Sequence, residues 1–207
     1  MKYPIQSVFA VALVSGTLVI AGCSASQAQA RSADKSGQVA TMAMTQSPAT
    51  PMTPSFAPYA GPDKILVADA AKKSVTVHVV AAEGNVAKGM NFNGFADGNM
   101  QVQVPTGWKV RISLTVGGGS LSHSVLIVPW TEKDKAGHWG LAFPKAAVAD
   151  YAAGMEAGDA PQTFKILADK PGRYGLICGV PGHVAMGMWD EFDVVDNLAA
   201  PQVLVKS

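Results

Sequence analysis

Cysteine is nearly absent from this chain: 207 residues contain only two, Cys23 and Cys178. Small exported domains held by disulfides carry more thiols at regular spacings, so a disulfide framework is excluded. Charge is sparse and almost balanced, with sixteen Lys and Arg against fifteen Asp and Glu. Binding of nucleic acid requires a basic face, and this composition offers none. Long hydrophobic runs are lacking too. The longest, residues 7–20, is interrupted by Ser15, Gly16 and Thr17, short of the ~20 apolar residues of a membrane-spanning helix.

What is present at the N-terminus has the layout of an export signal. Lys2 supplies a positive start, the short apolar run follows, and Ala21-Gly22-Cys23 closes it. Small residues directly before a cysteine look like a bacterial lipobox, so residues 1–23 are expected to be a lipoprotein signal peptide with Cys23 as the lipidated residue. Ordinary cleavage after Ala30 and an uncleaved anchor are the alternatives. Without Lys2 the basic residues number fifteen, equal to the acidic ones, and the mature chain is formally neutral. Residues 24–61 are rich in Ala, Ser, Thr, Gln, Pro and Met, a composition that cannot bury enough apolar surface to offset its ordering entropy. They are expected to form a flexible tether. Its Met42, Met44 and Met52 could bind Cu(I), but scattered linker methionines are the plainer reading.

From residue 62 onward the pattern changes to period-two alternation. Val75, Val77 and Val79 alternate with Ser74, Thr76 and His78; Val110, Ile112, Leu114 and Val116 alternate with Arg111, Ser113 and Thr115. Val102 and Val104 repeat the pattern, and further strands are expected at 64–70, 124–129, 163–167, 173–178 and 189–195. Seven or eight short strands separated by Gly and Pro turns indicate an all-β sandwich over residues 62–207. Residues 144–158, rich in alanine, break the rule and suit a short helix or an irregular excursion.

The chemistry concentrates in residues 174–189, YGLICGVPGHVAMGMW. A strand ends at Cys178, a tight Gly/Pro loop carries His183, and a new strand opens near Met188. If Cys23 carries lipid, Cys178 is the one free thiol of the mature domain. Thiolate, imidazole and thioether on one loop match a blue-copper site, which has two His and one Cys in a plane and a weak axial Met. A second histidine must come from elsewhere. His78 lies on a polar strand face and His138 in a charged loop, so both read as surface residues. His123 follows the Gly117-Gly118-Gly119 turn and shares a face with Val125 and Ile127, which makes it the expected fourth ligand. Met188 and Met186 compete for the axial position. Met188 is preferred, because Gly187 permits a tight turn before it and Trp189 anchors the following strand.

His123-Ser124, followed by C-x4-H-x4-M, resembles the rusticyanin and sulfocyanin branch of the cupredoxins. Asn91-Phe92-Asn93-Gly94, Cys178-Gly-Val-Pro-Gly-His183 and Gly187-Met188-Trp189 are similar to motifs of the sulfocyanins in particular. The resemblance covers roughly residues 62–198. It implies a Greek-key β-sandwich, one type 1 copper held by His123, Cys178, His183 and Met188, and a one-electron carrier serving protein partners of a respiratory chain. The expected protein is an exported monomer, lipid-anchored to a bacterial membrane and facing the periplasm or the cell exterior.

Catalysis at a second copper is not expected. Multicopper enzymes place histidines beside the blue-copper cysteine to carry electrons onward, whereas Cys178 lies between Ile177 and Gly179. Copper storage or delivery is the alternative function, and ready release of copper to a chelator would favour it.

Overall fold

The computed structural model describes residues 54–61 and 64–207. The expectations for the signal peptide, Cys23, Met42, Met44 and Met52 lie outside the described residues. Among the described residues, ten strands form two sheets. They are β1 (Phe56–Pro58), β2 (Leu66–Asp69), β3 (Ser74–Ala81), β4 (Met100–Pro105), β5 (Trp108–Val116), β6 (Leu126–Pro129), β7 (Gln162–Ala168), β8 (Gly172–Ile177), β9 (Trp189–Val195) and β10 (Gln202–Lys206). The larger sheet has the order β1-β10-β4-β9-β8-β6, and the smaller has β2-β3-β5-β7. Pairing is antiparallel except between β3 and β5 and between β4 and β9. Those two parallel pairs arise because the chain crosses from one sheet to the other, as a Greek-key sandwich requires.

The alternation read from the sequence becomes the core. Val75, Val77 and Val79 of β3 and Val110, Ile112 and Leu114 of β5 face Met100, Val102 and Val104 of β4 and Phe192 and Val194 of β9. Every expected strand is found. Two others are new: β10, and β1, which places residues 56–58 in the sheet although the tether was expected to run to residue 61. Phe56 pairs with Lys206 and Pro58 with Leu204. Proline donates no hydrogen bond, so it is tolerated on such an edge strand. Nothing in three residues announces this strand until its partner is known.

Residues 144–158 are the irregular excursion and contain no helix. Together with the residues before them they run along the outer edge of β6. Ala142 donates to the Ile127 carbonyl at 2.9 Å, Ile127 to Ala146 at 2.8 Å, and Val148 to Val125 at 3.1 Å. This strap satisfies backbone groups that a further strand would otherwise pair.

The outer face of the larger sheet carries a polar ladder across β4, β9 and β8. Gln101 donates to Asp193 at 2.8 Å and to Glu191 at 3.2 Å, and Arg173 pairs with Glu191. Burial first, then the neighbouring Glu191 carboxylate, push the Asp193 carboxyl up to about 6, with Arg173 and Gln101 opposing the rise. Asp is near 3.9 in an unfolded chain. The folded state therefore holds the proton more tightly, and stability is lost as pH rises from about 4 through 6. Asp193→Asn is expected to raise Tm by a few degrees at pH 7.5 and to change it little at pH 3.5. Thermal melts at the two pH values check this; an equal shift at both would show that ionisation is not the cause.

Candidate metal centre

Three loops meet at one end of the sandwich. Cys178 directly follows β8, and its amide donates to the Met188 carbonyl at 3.2 Å. The segment between them closes on itself: His183 N–H reaches Val180, Gly187 N–H reaches Val184, and Met188 N–H reaches the His183 carbonyl at 3.0 Å. A single 3-10 turn, Val184–Met186, ends at Gly187 with φ of 92°. A side chain there would be strained, and its Cβ would lie 2.7 Å from the Asp97 carboxylate. Asp97 in turn donates its amide to the Gly187 carbonyl at 2.8 Å.

His123 comes from the other side, ahead of β6 and not within it. Its backbone is held at both polar atoms by Met155: His123 N–H donates at 2.8 Å, and Met155 N–H returns a bond of 2.8 Å. Residues 144–158 thus clamp a site residue, a role not evident from their composition. Tyr151 of the same segment packs against Gly179, where a Cβ would stand 2.4 Å from its ring.

These loops bring together four donors and bury them. His123 Nδ1 is 3.2 Å from Met188 Sδ, and His183 Nδ1 is 3.4 Å from Cys178 Sγ. One donor atom each from His123, Cys178 and His183 lies within 4.8 Å of the others. Cys178 and Met188 are fully buried, His123 is 1% exposed and His183 5%. Met186, the rival for the axial position, is 54% exposed. His78 and His138 are exposed and apart from this cluster.

The donor set fits a transition metal. Nitrogen and sulfur at ordinary bond lengths of about 2.0 and 2.3 Å on one tetrahedral ion stand about 3.5 Å apart, close to the two separations found. Burial, then the nearby His183, depress His123 to about 4, and burial likewise lowers His183. Both imidazoles are therefore neutral at physiological pH and free to donate lone pairs. Burial raises the Cys178 thiol, despite the opposing effects of Ser124 and Val180. A thiol in such a place ionises when a metal coordinates it.

Ser124 supports the sulfur in two ways. Its amide donates to Cys178 Sγ at 3.4 Å, and its hydroxyl lies 3.8 Å from the same atom. That hydroxyl also accepts the Gly179 amide at 2.8 Å, so its position is fixed. Hydrogen bonds to a ligating sulfur hold its orientation and tune the metal it binds. The Asn91-Phe92-Asn93-Gly94 motif acts from further away. Buried Asn91 accepts from Glu83 at 3.1 Å and Gly94 at 3.0 Å and donates to Val86 at 2.8 Å. It ties down the loop that carries Ala87 and Met90 to the hollow shared with Met186.

One neighbour was not foreseen. Lys133 lies in the charged loop yet is buried, its amine 3.7 Å from the centroid of the Trp189 ring and paired with Asp134. Trp130 meets Trp189 edge-on at 5.9 Å, and the Arg173 guanidinium caps Trp130 at 3.5 Å. The indole of Trp189 covers Gly98, where a Cβ would come within 2.4 Å. The strand after Met188 is thereby fixed from both sides.

Comparisons with known proteins identify the family. The sequence model of the sulfocyanin (SoxE) domain matches residues 62–205. A sulfocyanin of Sulfolobus acidocaldarius is 25% identical over 139 residues, which cover 64% of this chain and 69% of that protein. Among solved structures, a reduced auracyanin from Roseiflexus castenholzii is 20% identical, covering 58% of this chain and 96% of its own, with a TM-score of 0.40. A rusticyanin from Thiobacillus ferrooxidans is 21% identical over 59% of this chain and 82% of its own, with a TM-score of 0.38. With a match across most of its length, the chain belongs to the sulfocyanin family, blue-copper proteins of cupredoxin fold with one type 1 copper.

Proposed function

We propose that His123, Cys178, His183 and Met188 hold this copper, and that the protein passes single electrons between separate redox proteins at a membrane. The observation that carries the reading is the convergence of two neutral imidazoles, a thiol and a thioether in one buried place. Bound there, copper would supply one-electron exchange between Cu(II) and Cu(I). The chain's part is to hold the donors still. Cys178 and Met188 are tied backbone to backbone, His123 is clamped by Met155, and Trp189 is packed against Lys133 and Gly98. A frame this constrained favours retention of the metal, which speaks for electron transfer over delivery.

His183 is the most exposed of the four and sits on the loop with exposed Pro181, Ala185 and Met186. Electrons would enter and leave there. Ile177 and Gly179, beside Cys178, offer no ligand for a second metal, so the partners are other proteins and not an internal catalytic centre. Export, lipidation at Cys23 and a periplasmic or external location complete the proposal. No helix among the described residues is long and apolar enough to cross a membrane.

The axial assignment supplies the test. Met188→Gln is expected to lower the reduction potential and keep the blue colour, because an amide oxygen is a harder ligand and favours Cu(II). Met186→Gln should leave the potential nearly unchanged. Voltammetry of the two variants decides, and a shift confined to Met186→Gln would overturn the ligand set.

A further inference from the structure

Strand β1 shows where the N-terminal segment leaves the domain. Phe56 pairs with Lys206, and Ser207 donates to the Ser55 carbonyl at 3.1 Å. Lys206 donates its amide to Asn99 at 2.9 Å, and its side-chain amine lies 3.4 Å from the Asp97 carbonyl. Asp97 bonds Gly187, and Gly98 bonds Trp189 at 2.9 Å. Step by step, the start of β1 lies at the same end of the larger sheet as the loop bearing Met188. In the order β1-β10-β4-β9 it stands three strand spacings away, about 14 Å. The opposite end holds the turn at Gly107 and the turn at Asn197.

That same pole carries exposed Met186, Leu121 and Val86. A hollow of about 570 Å³ lies among Ala87, Lys88, Met90, Leu121 and Met186, apolar but for Lys88. The 31 residues 24–54 link Cys23 to β1. We propose that the copper pole, with its apolar rim, faces the membrane that holds the N-terminus, so that electrons are exchanged close to the bilayer. The inference rests on the copper reading above and on an anchor at Cys23. A tether rooted at the far pole would have to fold back along the sandwich, whose eight-residue β3 alone spans about 27 Å. Rooted at the copper pole, it holds the electron port toward the bilayer with no such detour.

The test uses the copper-loaded, lipidated chain on phosphatidylethanolamine–phosphatidylglycerol vesicles. A fluorophore is attached through Leu121→Cys at the copper pole or through Asn197→Cys at the opposite pole, and a quencher is carried on lipid headgroups. Stronger quenching at position 121 is expected. Deleting residues 31–50 shortens the tether to eleven residues and should widen the difference. The same deletion should speed electron exchange with a ferrocene-bearing lipid about four- to five-fold, as effective concentration scales with tether length. Exchange with soluble ferrocyanide should stay constant. Equal quenching at both positions, stronger quenching at 197, or slower lipid exchange after the deletion would overturn the proposal. Flotation with the vesicles reports on the anchor separately. If the chain does not float, Cys23 is coupled to a maleimide lipid and the comparison is repeated, so the pole is tested whatever the fate of natural lipidation. Colour on copper loading reports on the metal reading.

Discussion

Cys178→Ser is expected to yield a folded protein that shows no blue colour with Cu(II) and holds copper at least a hundredfold more weakly. The colour of a type 1 site is charge transfer from thiolate to copper, and Cys178 is the one cysteine in the described residues. A serine hydroxyl is a harder donor with a far higher pKa, so the soft anionic ligand that suits both copper states is lost. Folding should survive. The side chain sits beyond the end of β8, and a hydroxyl there can accept the Ser124 amide that Cys178 Sγ accepts now. The loss of stability without metal should be about 1 kcal/mol, in the ordinary range for one substitution. Absorption spectra and a chelator competition read the two copper effects, and denaturant melts of the metal-free form read the third. A blue Cys178→Ser protein would refute the ligand assignment.

Gly154→Ala should have a large effect although Gly154 is none of the four donors. Gly154 has φ of 77°, where any Cβ is strained. An added Cβ would also stand 2.9 Å from the His123 carbonyl oxygen, 2.9 Å from Val180 and 3.0 Å from the His123 amide nitrogen. These are largely backbone contacts, and the His123–Met155 pairing has no room to shift. The expected destabilisation is roughly 2–4 kcal/mol, combining left-handed strain with overpacking. Gly158→Ala is the matched control: φ is 94°, and nothing lies within 4 Å of its Cβ. It should cost about 1 kcal/mol, the strain alone. Equal losses in the two variants would mean that close approach to His123 is unimportant. Gly154→Ala should also weaken copper binding, because it displaces a histidine.

These two residues mark what the sequence does and does not reveal. Cys178 was legible because its chemistry is local: thiol, imidazole and thioether are spaced on one loop whose turns are written in Gly and Pro. The strand alternation of β3 and β5 was legible for the same reason, since period two needs only neighbours. Gly154 was not. Its role depends on His123, 31 positions earlier, and alanine-rich sequence around it gives no period to read. Lys133 was hidden similarly, because a lysine among charges reads as solvated until Trp189, from a distant strand, joins nearby Trp130 against it. β1 and β10 were missed because a strand of three to five residues is specified by its partner more than by itself. That Met186 is exposed and Met188 buried was not legible either, since the two stand only two residues apart.

The strap along β6 has a consequence beyond the metal centre. All four residues of β6 are apolar, and three are buried. An open edge of that kind is a template for pairing with another chain. With residues 142–148 bonded along it, the outward amide and carbonyl of Ile127 in β6 are already paired. The other edges resist in their own ways: β1 is three residues long and ends in Pro58, β2 has four residues, and β7 projects Lys165 outward. The segment that clamps His123 through Met155 therefore also covers an apolar edge against pairing with a second copy.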